Sequence, residues 1–125
     1  MDWIKARFAC SLDHAWLVLK ERLKADIAEW RTHSPADGAV SVSEDGDRLI
    51  LSRAFESGPG PWATLAKTRD KLLLRSGPAP NSAREDEGLH PTLNAAGECR
   101  LVRDGEELEF WQASRLILEP LLFGD

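Results

Sequence analysis

The stretch SLDHAWLVLKERLKADIAEWRTH, residues 11–33, decides how the rest of this chain is read. Within it Leu12, Trp16, Leu19, Leu23, Ile27 and Trp30 recur at steps of four, three, four, four and three. That spacing sets six large apolar side chains on one stripe of an α-helix, and a stripe of that kind needs a second layer to cover it. Ser11 reads as the N-cap, and Asp13 falls in the first turn, where the helix dipole favours an anion. Lys20, Glu21, Lys24 and Arg31 lie largely off the stripe, and Arg22 and Asp26 are spaced for an i, i+4 ion pair. Ser34 precedes Pro35 and is pushed out of the α region, so the helix should end near His33.

Upstream of the helix, residues 3–10 alternate. Ile4, Ala6, Phe8 and Cys10 point one way and Lys5 and Arg7 the other, the pattern of a half-buried strand. Downstream, Val40 and Val42 share one face, and Leu49, Leu51 and Phe55 share another with Arg53 between them. The intervening Asp45-Gly46 is a tight hairpin signal, because glycine takes positive φ without steric cost. Residues 57–61, Ser-Gly-Pro-Gly-Pro, read as a connecting loop; prolines remove the amides that a phosphate nest needs, and no GK[ST] follows.

Residues 62–76 fit two patterns. Pro61 and Gly77 would bracket a helix, but the apolar stripe breaks at Arg69 and Asp70. A second hairpin turning at those residues continues the first, and the hairpin is the reading adopted. Residues 77–97 hold Gly77, Pro78, Pro80, the run Arg84-Glu85-Asp86-Glu87, Gly88 and Pro91, and read as a mobile acidic loop. Residues 99–103 read as a strand and Asp104-Gly105 as another tight turn. A second helix follows, with Phe110, Trp111, Ser114, Ile117, Leu118 and Leu121 on its buried side and Pro120 expected to kink or stop it. The fold class is thus α+β, one domain over residues 1–125: an N-terminal strand and long helix, an antiparallel meander of four to six strands, and a C-terminal helix. Both helices should pack on one face of the sheet.

The charge distribution restricts function. The formal net charge is −5, and residues 81–125 alone carry ten acidic and four basic side chains. No basic face appears in bulk, so nucleic acid is a disfavoured partner. No run approaches the roughly 18 apolar residues of a membrane span. The N-terminus has no apolar run behind its positive charges and does not read as a secretory signal. Cys10 and Cys99 form no CxxC pair and read as buried thiols in a reducing, cytoplasmic compartment, although spacing alone does not exclude a disulfide. Arginine-rich, alanine-rich composition accords with a bacterial gene.

Catalytic and metal motifs are sparse. His14 opens the long helix without a partner acid, His33 suits the helix C-terminus as a cation, and His90 follows Glu85, Asp86 and Glu87 at a spacing that matches no ligand frame. There is no GxSxG, HExxH or P-loop, so neither a cofactor nor a metal is expected. The unusual feature is five tryptophans with no tyrosine. Trp16 and Trp30 belong to the stripe. Trp62, and Trp111 with nearby Arg115, are candidates for a partner or ligand surface, since tryptophan and arginine are enriched at binding hot spots. Leu122 and Phe123 join them, because three adjacent large apolar residues, 121–123, cannot all face one side of a helical turn. The expected role is a non-catalytic protein-binding or assembly module, with self-association as one form. The alternative is a small-molecule pocket or small enzyme between sheet and helix. A ligand pocket predicts a concave, partly apolar cavity with converging polar groups, and an interaction module predicts a flat or ridged apolar patch and no such cavity.

Overall fold

The computed structural model describes residues 2–34 and 39–124. The decisive stretch is helical as read. This helix, α2 (Leu12–His33), is capped by the Ser11 hydroxyl, which accepts from the His14 amide at 3.1 Å. Trp16, Leu19, Leu23, Ile27 and Trp30 are buried along the expected stripe, and Leu12 packs at its margin. The helix ends where expected; Pro35, on which that expectation drew, lies outside the described residues.

Residues 3–10 are not a strand. They form a short helix, α1 (Trp3–Ala9), whose N-cap Asp2 accepts from the Lys5 amide at 3.1 Å. Ile4 and Phe8 are four apart, so their spacing serves a helix as well as it serves an alternating strand. An aspartate one residue before the pattern was the helix signal. None of the α1 side chains is buried.

The sheet has seven strands, more than the four to six expected: β1 (Ala39–Asp45), β2 (Arg48–Phe55), β3 (Gly58–Lys67), β4 (Leu72–Gly77), β5 (Glu87–Leu93), β6 (Cys99–Arg103) and β7 (Glu106–Leu108). Every strand pairs antiparallel with its sequence neighbours, in the order β1 to β7. Gly46 turns β1 into β2 at φ 61°, and Asp104 and Gly105 turn β6 into β7 at φ 49° and 80°. Both residues of the second turn have positive φ, as a type I′ hairpin requires. The segment 62–76 is the hairpin of β3 and β4, with Leu65 opposite Leu74. Residues 57–61 are more than a loop, because β3 already begins at Gly58. The two prolines are accommodated near a register shift, where Ser52 pairs with Trp62 but Ala54 with Pro59.

The stretch 77–97, expected to be unstructured, contains β5. Its Leu89 is fully buried opposite Leu72 of β4, and its Pro91 pairs with Leu101 of β6. Acidic residues before Leu89 and the proline after it hid the strand's alternation. The segment before β5 is tied down by a bridge between Ala79 and Ser82 and by the Trp62 indole, which donates to the Ala79 carbonyl at 2.8 Å. Gly77 makes that closeness possible, since a Cβ there would lie 1.7 Å from the Ser82 carbonyl oxygen.

The last helix, α3 (Phe110–Phe123), runs through Pro120 rather than stopping there. Burial of Leu121 and Leu122 holds the turn beyond the proline. One core joins α2, α3 and the inward positions Leu49, Leu51, Ala63, Leu65, Leu72, Leu74, Leu89, Leu101 and Leu108, so both long helices cover one face of the sheet. Cys10 and Cys99 are not free thiols. They form a disulfide, with Cα atoms 5.4 Å apart and a sequence separation of 89, and it fastens the α1–α2 junction to β6. Among the described residues no helix is long and apolar enough to cross a membrane.

Candidate binding groove

The residues that recur on the outer flank of α2 are Arg22, Asp26, Glu29 and His33, at steps of four, three and four. On α3 the lining side chains fall on one face at 111, 114–115, 118 and 122–123: Trp111, Ser114, Arg115, Leu118, Leu122 and Phe123. The two helices pack side by side, and these rows face each other across an open groove of about 520 Å³. At 1.5 Å per residue the rows extend over roughly 17 Å, or three helical turns. Trp30, Leu118 and Leu122 give the groove an apolar floor, and the half-exposed Trp111 and the exposed Phe123 stand at its two ends.

The polar groups along the groove are engaged with one another. Arg22 Nε donates to Asp26 at 3.1 Å, and the fully buried Ser114 hydroxyl donates to the same carboxylate at 2.7 Å, linking α3 to α2. His33 Nε2 lies 3.0 Å from Glu29. Arg115 Nε donates to Glu119 at 2.8 Å, and this bond holds the guanidinium above its ordinary pKa. The Trp111 indole donates to Glu109, whose own amide donates to Gln112 and so fixes the first turn of α3.

Behind the floor sits Arg53 of β2. Its guanidinium lies 5.1 Å from the Trp30 ring centre and 4.6 Å from that of Phe55, and it donates to the carbonyl of Leu122 at 2.6 Å. A cation between two aromatic faces, aimed at the C-terminal carbonyls of α3, answers both ring quadrupoles and helix dipole. It anchors the Leu121 and Leu122 carbonyls at the end of α3. Sequence reading gave Arg53 no role. The available signal was a charged residue on the apolar face of a strand, between Leu51 and Phe55.

Four of the five residues singled out from the sequence meet here: Trp111, Arg115, Leu122 and Phe123 all line the groove. Leu122 does so as a nearly buried floor residue rather than as exposed surface. Trp62 does not join them. It alternates with the buried Ala63 and so projects on the face of the sheet away from the helices, where it holds the segment before β5. His14 lies at the start of α2 and His90 is exposed on β5, both apart from the groove lining. Among the described residues no cluster of three or more His, Cys, Asp or Glu side chains is placed to hold a metal ion. Comparison with known proteins returns no matching family model, no matching curated protein and no matching solved structure.

Proposed function

We propose that this domain is a non-catalytic binding module whose groove between α2 and α3 receives an apolar segment of a protein partner. One observation carries the reading. The groove is apolar at its floor and ends, while its polar side chains are closed into pairs with each other: Arg22 with Asp26, His33 with Glu29, Arg115 with Glu119. A small-molecule site uses polar groups that converge on the ligand. Paired charges instead form a polar rim around an apolar strip, the anatomy of a protein interface. Two facing ridges spanning three turns suit an amphipathic helix laid lengthwise. Disulfides persist most readily in an oxidising setting, which weighs against the reducing cytoplasm expected from the sequence.

The test is a titration of isotope-labelled protein with a synthetic amphipathic helix bearing apolar anchors at i, i+4 and i+7 and lysines on its flanks. Chemical-shift changes concentrated at the Trp111 indole, Ser114 and Phe123 are the expected result. Changes scattered over the surface, or none at all, reject the groove as a docking site. A fragment screen on the same sample addresses the alternative. Fragments that bind within the groove while the peptide does not would favour a small-molecule pocket.

A further inference from the structure

We propose that the occupant of the groove is α1 of a second copy of this chain, exchanged reciprocally in a two-fold dimer. This rests on the reading of the groove as a docking site for a protein segment. Among the described residues the exposed large apolar side chains fall mainly on two features. Trp3, Ile4 and Phe8 stand on α1, exposed by 64%, 53% and 79%, and Trp111 and Phe123 stand at the groove, exposed by 45% and 72%. One feature is a convex ridge and the other a concave trough. α1 buries none of its own side chains, so nothing within the described domain accounts for three large apolar groups on so short a helix.

Length and charge match. A helix of seven residues is about 10 Å long and fits within a groove of about 17 Å. α1 contributes Lys5 and Arg7, and its neighbouring acid, Asp2, serves as the N-cap. The groove lining sets three acids, Asp26, Glu29 and Glu119, against Arg22, Arg115 and His33, of which only the two arginines are permanent cations. A chain's own α1 is held elsewhere, since the disulfide fixes its C-terminal end to β6 and no α1 residue lines the groove.

Area decides between one contact and two. Burying the exposed parts of Trp3, Ile4 and Phe8 removes about 400 Å² from water, and the exposed parts of Trp111 and Phe123 add roughly 250 Å². A single docking event of roughly 650 Å² falls in the range of adventitious contacts, whereas reciprocal exchange reaches roughly 1,300 Å², within the range of a specific interface. A closed two-fold arrangement also leaves neither a free α1 nor a free groove to propagate a fibre.

Sedimentation of the full oxidised chain should show a dimer. Phe8→Glu and Trp111→Glu should each weaken it by more than about tenfold, as loss of a large aromatic anchor does, with melting of the folded monomer unchanged. Mixing the two variants provides the specific readout, because the α1 of one and the groove of the other remain intact. The mixture should associate more tightly than either variant alone. A wild-type chain that stays monomeric, a dimer untouched by both substitutions, or a mixture no better than its parts overturns the proposal. Trp3→Ser is the second α1 variant if Phe8→Glu disturbs the helix. A monomeric wild type whose groove still responds to the synthetic helix defeats this inference and leaves the docking reading standing; silence in both experiments defeats both.

Discussion

Arg53 occupies a position where strand alternation calls for an apolar side chain, and its neighbours explain why a cation is held there. Two rings cover its faces and the last carbonyls of α3 receive its protons. Arg53→Met keeps the volume but leaves those carbonyls without their charged donor, so it should cost about 1.5–3 kcal/mol in urea unfolding; a loss below about 0.5 kcal/mol, the scale of a surface change, would show that the carbonyls find other partners. At the opposite end of the helical layer, Lys67 of β3 donates to Asp13 of α2 at 2.7 Å and also faces Asp47. The Asp13 hydrogen bond holds the ammonium above its usual pKa of 10.5. A raised folded-state pKa stabilises the fold below the unfolded value and stops doing so as pH rises through the folded one. The tie between α2 and β3 should therefore loosen only in alkali above about 10.5, and Asp13→Asn should bring the Lys67 titration, followed by NMR at Nζ, down toward the ordinary value.

At the scale of elements, legibility followed length. The α2 stripe repeats over many turns, and six anchors outweigh any stray residue, so its limits and buried face were readable. Leu23 lies mid-stripe with no exposed surface. Leu23→Ala should cost about 2–5 kcal/mol as a core truncation, measured by chemical denaturation. Over the seven residues of α1 the two periodicities coincide, because Ile4 and Phe8 serve either one. In β5 an acidic approach and Pro91 imitate a loop; only the pairing of Leu89 with Leu72 across the sheet reveals a strand. Pro120 reads as a stop in isolation, yet tertiary burial carries α3 three residues further. The groove was half legible. Trp111, Arg115 and Phe123 stand out by chemistry, but Arg22, Asp26, Glu29 and His33 have the composition of a solvated helix flank. They become a groove wall only when α3 is laid beside them.

On the scale of the whole molecule, the disulfide is the longest-range covalent tie. The strands pair with sequence neighbours, while Cys10 and Cys99 close a loop across 89 positions. Constraining an unfolded chain over that span is worth about 4–5 kcal/mol in the loop-entropy model. Reduction, or Cys10→Ser with Cys99→Ser, should lower unfolding free energy by several kcal/mol on that account, and proteolysis should then remove α1 first, since no buried side chain retains it. Early cleavage within α2 instead would mean that the disulfide holds the whole helical layer. The chain order of the two long helices has a separate consequence. All seven strands lie between α2 and α3 in sequence, yet the two helices cover one core together. On a translating ribosome, the nascent chain can zip its hairpins one after another as they emerge. The part of the core that α3 completes must meanwhile stay open until α3 itself has been made. A chain interrupted before residue 110 therefore carries its sheet under an incomplete helical layer, and the apolar face left open invites aggregation.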